Sequence, residues 1–332
     1  MKAEAIRHVA AIGAGRMGRG IAHVFAYAGY RVTLVDAKPR DDAGHAKLLA
    51  DARREIEGNL TALAEFGVFD GALIPDMLAR IHFTAKLEDL ADADLIFEGV
   101  TETMEAKELA FRALSQAAGA DAIIASTTST LPVDQLAAFV TRPSCFLNAH
   151  WLNPAYLIPL VEVSPGAATD EGVLKTVTAI LERVGKVPVI CAATPGYIIP
   201  RIQSVAMNEA ARMVEEGVAS AEDIDKAIRA GFGPRYATMG LLEFVDVGGG
   251  DILYHASRYL TANLGSDRYQ SPQIVIDNME QGRNGLRDGK GFYDFEAMDV
   301  PAYQRDQMAR FVSLFRHLNL LPAPGGAEKK RD

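Results

Sequence analysis

The stretch that most restricts the fold is Gly13-Ala14-Gly15-Arg16-Met17-Gly18. A short apolar run, Val9-Ala10-Ala11-Ile12, stops at it, and Ile21, Ala22, Val24 and Phe25 then recur at helical spacing. That order reads as strand, glycine turn, helix. Arg31-Val32-Thr33-Leu34-Val35 follows as a second apolar strand and ends in Asp36. The acid falls near the roughly 20-residue spacing expected of a ribose-binding carboxylate. Each glycine has a physical task. Gly13 permits the tight turn, Gly15 lets the backbone approach a pyrophosphate, and Gly18 lets the helix pack on the strand, with Arg16 and Met17 in the helix's first turn. The plain alternative is a tight turn followed by a solvated Asp. The pattern predicts an α/β chain with a Rossmann-type doubly wound sheet that binds NAD. Asp36 would accept from a 2′-hydroxyl and repel a 2′-phosphate, although Lys38 and Arg40 lie close to it in sequence.

A chain of 332 residues exceeds one ordinary domain, so two are expected. A strand-and-helix half gives way near Cys191–Pro195 to a half with helical periodicity alone. The predicted division is a NAD-binding domain over 1–192, with a helical excursion at 41–80, and a helical domain over 193–321. A disordered, Pro- and Gly-containing tail is expected at 322–332. The net charge of −9 argues against a nucleic-acid partner. No apolar run is long enough for a bilayer, and the N-terminus lacks a signal-peptide core, so a cytoplasmic protein without a membrane partner is expected. Cys145 and Cys191 sit in apolar runs and read as buried free thiols, which suits a reducing compartment.

Within the excursion, Leu48, Leu49, Ile56, Leu60 and Leu63 mark a helix over 43–66, and Ile74 to Leu78 resumes one. His45, Lys47, Arg53 and Arg54 on it are either a solvated face or a ledge for an anionic group such as a coenzyme A phosphate. Asp94-Leu95-Ile96-Phe97 is a strand leading into Glu98 to Glu102, with Lys107 one turn into the next helix. Ala122-Ile123-Ile124-Ala125 opens onto Ser126-Thr127-Thr128-Ser129-Thr130, hydroxyls that either cap the following helix or line a site. Ser144-Cys145-Phe146-Leu147 reads as a buried strand, and Leu157 to Val163 as another. Between them lie His150, the only Trp, Asn153 and two prolines. A His leaving one strand, with Glu162 inside the next, suits a base and the carboxylate that orients it, though a lone His is more often structural. Further on, helices are expected at 169–184, 197–217, from Ser220, 235–241, 252–264 and 303–318. Val187 to Cys191 reads as an edge strand, and Asp246 to Asp251 as a loop between helices.

These blocks together resemble the 3-hydroxyacyl-CoA dehydrogenase family over about residues 7–295. The glycine turn, Asp36 and the hydroxyl run look like its cofactor half. His150-Trp151-Leu152-Asn153-Pro154 with Glu162 looks like its catalytic dyad, Thr194 to Ile199 like the entry to its second domain, and Gly285 to Tyr293 like its C-terminal signature. The resemblance implies His150 as general acid/base and Glu162 as its orienting partner. It implies Ser129 and Asn153 near the substrate oxygen, and Glu102 and Lys107 on the cofactor. It also implies a CoA thioester substrate, fatty acid metabolism, a homodimer through the helical half, and no metal. Where the family usually has Asn, this chain has Pro200, which offers neither amide side chain nor backbone N–H. Arg235-Tyr236-Ala237 resembles the branch that oxidises free 3-hydroxy acids such as L-gulonate. A free-acid dehydrogenase of gulonate or carnitine type is therefore the alternative, and a catalytically idle NAD-binding protein a minor one.

Overall fold

The computed structural model describes residues 3–321, so the tail expected to be disordered lies outside the described residues. The chain divides into two compact units, Met1–Ala206 and Met207–Asp332.

The first unit is built on one eight-stranded sheet. Its strands are β1 His8–Ile12, β2 Arg31–Val35, β3 Ile81–Thr84, β4 Leu95–Glu98, β5 Ile123–Ser126, β6 Phe146–Trp151, β7 Leu160–Pro165 and β8 Val187–Ile190. The spatial order is β3-β2-β1-β4-β5-β6-β7-β8. Every neighbouring pair is parallel except β6 and β7. The helices are α1 Arg16–Tyr27, α2 Asp42–Glu65, α3 Ile74–Ala79, α4 Met104–Ala117, α5 Val133–Ala137 and α6 Glu171–Arg183. They cover both faces, which is why the central strands read as unbroken apolar runs. Alternation divides each run between two cores. Val9, Ala11, Leu34, Phe97, Leu147, Ala149 and Trp151 pack on one face. Ala10, Ile12, Ile96, Ile124 and Phe146 pack on the other, with Phe111 and Leu114 of α4. Burying each large side chain of this kind stabilises by about 1.5–3 kcal/mol.

The strand order reverses at β1 and β4. Ligands bind in such sheets at the carboxyl ends of the strands beside this reversal. The β1–α1 turn lies there, with Gly13 at φ +92°. A Cβ on Gly13 would crowd the Gly99 carbonyl, and one on Gly18 would overlap the Gly13 carbonyl oxygen. β8 is an edge strand, as its proline requires. Asp170 caps α6 by accepting from Gly172 N at 2.7 Å.

Several expectations need correction. β3 was not foreseen, because a four-residue edge strand with one exposed side chain carries little periodicity. β6 begins at Phe146, and Pro143–Cys145 is a 3₁₀ turn rather than strand. Cys145 and Cys191 are free but only half-buried.

The helix α7, Ile199–Glu215, contains the division between the units. The second unit continues with α8 Ala221–Ala227, α9 Gly233–Thr238, α10 Leu241–Gly248, α11 Gly250–Leu264, α12 Gln273–Glu280 and α13 Val300–His317. The helix expected at 235–241 is broken at Met239, whose extended backbone ends α9 before α10 begins. The glycine-rich loop expected at 246–251 shrinks to Gly249, at φ +107°. Asp246 is buried in α10, where its carboxylate accepts from Phe292 N and Tyr293 N at 3.0 and 2.8 Å. α12 was not anticipated. No described helix is long and apolar enough to cross a membrane.

Candidate active site

His150 and Glu162 face each other across the β6–β7 ladder, as directly opposed residues in an antiparallel register. His150 Nδ1 and Glu162 Oε2 are 2.7 Å apart. The second carboxylate oxygen, Oε1, accepts from the backbone N–H groups of Ile198 and Ile199 at 2.9 and 2.8 Å. These N–H groups open α7, so the helix N-terminus stabilises the charge on Glu162. Pro200 follows in the first turn, where a missing N–H leaves no bond unmade. Both members of the dyad are buried.

The carboxylate at Nδ1 places a proton on that nitrogen and leaves the lone pair on Nε2. Nε2 has no hydrogen-bond partner among the described residues. Tyr197, in left-handed backbone at φ +44°, lays its ring over the imidazole at 5.3 Å and 22°. Its hydroxyl accepts from Asn148 Nδ2 at 2.9 Å. Burial pushes this phenol well above its ordinary range, so it stays neutral. Tyr197, Asn148 and the two N–H groups opening α7 were all missed from sequence. Only Asn148 left a trace there, since it lies two residues before His150 and so shares its strand face.

Ser129 and Asn153 are exposed, and neither side chain hydrogen-bonds to the dyad. Asn153 precedes Pro154 through a cis peptide bond in the β6–β7 loop. Ser129 N donates to Glu102 Oε1 at 2.8 Å, and the Thr128 hydroxyl donates to the same oxygen. Burial pushes the Glu102 carboxyl up. The Thr128 hydroxyl, Lys107 and the Ser129 N–H outweigh it and hold the group below the usual carboxylate range. Within the hydroxyl run Thr128 and Ser129 bind Glu102 and Ser126 binds Glu98, and no side chain of it caps α5.

Lys107 is buried, with Nζ 2.9 and 3.0 Å from the two oxygens of Glu98 and 3.3 Å from Glu102. Glu98 also accepts from Val100 N and from the Ser126 hydroxyl, each at 2.7 Å. Glu98 was not singled out from sequence, although a Glu closing an apolar strand was the available signal.

Beside the β1–α1 turn lies a cavity of about 450 Å³, lined by Gly13, Gly15, Asp36, Val100, Ala106 and Leu109 among others. Its size suits a cofactor site. A Cβ on Gly15 would meet nothing within 4 Å, so the backbone there is open to a ligand. Arg16 is exposed beside this turn, and Met17 packs inward against the core. Asp36 is buried, and its Oδ2 accepts from Arg40 Nε at 2.9 Å and pairs with His45 Nδ1 at 2.8 Å. Oδ1 keeps only a long contact from Lys38 N, at 3.4 Å, which leaves it available to a ribose hydroxyl. The other basic residues of α2 scatter. Arg54 pairs with Asp51, and Arg53 lies over the Phe83 ring at 5.9 Å.

A dinucleotide cradle and a His–Glu pair carried on one sheet define an NAD-dependent oxidoreductase acting on CH–OH. Residues 8–194 match the family described as 3-hydroxyacyl-CoA dehydrogenase, NAD binding domain, and residues 196–295 match its C-terminal domain. The chain belongs to the 3-hydroxyacyl-CoA dehydrogenase family. It is 36% identical to a probable 3-hydroxybutyryl-CoA dehydrogenase of Deinococcus radiodurans, over 86% of this chain and 98% of that protein. The solved 3-hydroxyacyl-CoA dehydrogenase of Archaeoglobus fulgidus is 31% identical, covers 95% of this chain and 100% of its own, and superposes with a TM-score of 0.76. The 5-formyl-3-hydroxy-2-methylpyridine 4-carboxylate 5-dehydrogenase of Mesorhizobium japonicum is 29% identical over 94% of this chain and 98% of its own.

Proposed function

We propose that this chain interconverts a short L-3-hydroxyacyl-CoA and its 3-oxoacyl-CoA, with His150 as the general acid/base. The observation that carries the proposal is the dyad: a buried imidazole held at Nδ1 by a fully bonded carboxylate, with Nε2 left for substrate. Bound NAD supplies the hydride acceptor. His150 Nε2 takes the 3-hydroxyl proton as the hydride leaves C3, and Glu162 stabilises the imidazolium that results. The Ser129 hydroxyl and the Asn153 amide donate to the oxygen as its charge changes. Glu102 and Lys107 shape the cofactor side of the site, with Gly13, Gly15, Gly18 and Asp36 holding the dinucleotide.

A second reading, a free 3-hydroxy acid substrate, is favoured by one observation. Of the basic side chains at 38–54, Arg40 and His45 bond Asp36, Arg54 pairs with Asp51 and Arg53 lies over Phe83, so these four do not gather into an anion ledge. Pro200 fits the same reading. Comparing kcat/KM for 3-hydroxybutyryl-CoA with that for a panel of free hydroxy acids separates the two. The thioester is expected to be preferred, and a clear preference for a free acid overturns the first reading.

We also assign a homodimer through the helical unit, whose α11 leaves Ile252, Tyr259 and Leu264 exposed. Sedimentation at equilibrium tests this, and a monomer at working concentration refutes it. The two free cysteines suit the cytoplasm.

A further inference from the structure

The loop at 152–159 joins the strand of His150 to the strand of Glu162, and it is held from three sides. A Cβ on Gly20 of α1 would come within 2.9 Å of the Ala155 Cβ, so only glycine allows the loop so close. His23 of α1 stacks on Tyr156 at 4.8 Å and 6°. The Tyr156 hydroxyl donates to Asn59 Oδ1 of α2 at 3.2 Å. The third hold is Lys186, just before β8. Its ammonium donates to the carbonyls of Ala155 and Ile158, the latter at 2.9 Å, and lies 5.7 Å from the Trp151 ring centroid.

This lysine is 8% exposed, and no carboxylate lies within ion-pair distance of it among the described residues. Burying a cation without a counter-ion is costly, and an apolar residue of similar length would fill the space more cheaply. Here carbonyl dipoles and an aromatic face compensate it. Both carbonyls belong to the segment that carries Asn153 and closes the dyad's hairpin.

We propose that Lys186 is a positioning residue for the reaction, its ammonium pinning the 152–159 loop so that Asn153 and His150 meet the substrate oxygen together. The proposal rests on the reading of His150 and Asn153 given above. Burial pushes Lys186 down to about 8, so its grip is full below that pH and weakens as pH rises through it. His23 is pushed down to about 4, by burial and by the charge of Lys186, and stays neutral. Tyr156 is tied to Asn59, and Arg183 of α6 turns outward to Glu4 at 3.4 Å.

The test is kcat and KM for wild type, Lys186→Met and Lys186→Arg across the range in which a perturbed lysine titrates, with NADH affinity measured alongside. Lys186→Met is expected to lower kcat about 10- to 100-fold below the lysine's pKa, with NADH affinity unchanged. The wild-type to Lys186→Met ratio should then fall towards one as pH passes about 8. Lys186→Arg should match wild type below that pH and exceed it above. A Lys186→Met enzyme with unchanged kcat, or with a deficit independent of pH, overturns the proposal. If Lys186→Met does not fold, Lys186→Arg decides alone, and a pH profile identical to wild type overturns it. His150→Gln is the control. Normal turnover in that variant refutes the site reading itself, whereas loss there with an unaffected Lys186→Met refutes the role of Lys186 alone.

Discussion

Two carboxylates in the sheet are completely buried and carry cationic or ionisable partners, yet they are finished in opposite ways. Glu98 is closed: Lys107 bridges both its oxygens, and Val100 N and the Ser126 hydroxyl add two further donors. Glu162 is equally well supplied, by Ile198 N, Ile199 N and His150. Its partner, however, keeps a second nitrogen with nothing bonded to it. The first pair is a fixed charge that holds the ends of β4 and β5 in register beside the cofactor cavity. The second is a buried pair whose imidazole keeps one nitrogen open to a ligand. Similar burial thus closes one pair and leaves the other open, and the difference lies in whether the carboxylate's partner keeps a nitrogen with nothing bonded to it.

That contrast can be broken by substitution. The largest expected effect is on turnover. His150→Gln should lower kcat by about 10²–10⁴-fold. NADH binding should persist in that variant, since the cofactor cavity does not include His150. Next comes Lys107→Met, which strands the Glu98 charge and should cost about 3–5 kcal/mol of stability, read by denaturant unfolding. Adding Glu98→Gln to it should recover part of that loss, which a purely steric effect of the lysine change would not allow. The smallest expected effect is Ser126→Ala, which removes one of several donors to Glu98 and should cost about 1 kcal/mol. If Lys107→Met instead left stability untouched and abolished turnover, the division between a structural and a chemical pair would fail.

Much of this was legible in the chain. The Gly13–Gly18 turn, Asp36 and the strand-borne His150 and Glu162 announce themselves because backbone approach and acid–base pairing demand particular residues at particular spacings. The family match over 8–194 and 196–295 accords with that reading. What stayed hidden was of another kind. Arg40 and His45 turn inward to Asp36 across the connection from β2 into α2, a local contact that helical periodicity does not encode. The N–H groups of Ile198 and Ile199 bear no side-chain signature at all. Lys186 reads as an ordinary surface lysine until the loop carbonyls surround it. The break at Met239 escaped notice because the apolar spacing runs on through it.

The antiparallel pairing of β6 and β7 has one more consequence. Base and carboxylate are twelve residues apart in the chain but direct neighbours in the ladder, so their aim is set by strand register, which the connecting loop and its anchors help to fix. The outward side chains of the connecting segment can therefore vary without re-aiming the imidazole, provided its length and its anchors are kept. A scaffold of this kind can explore new substrates by editing one loop while its proton chemistry is inherited intact.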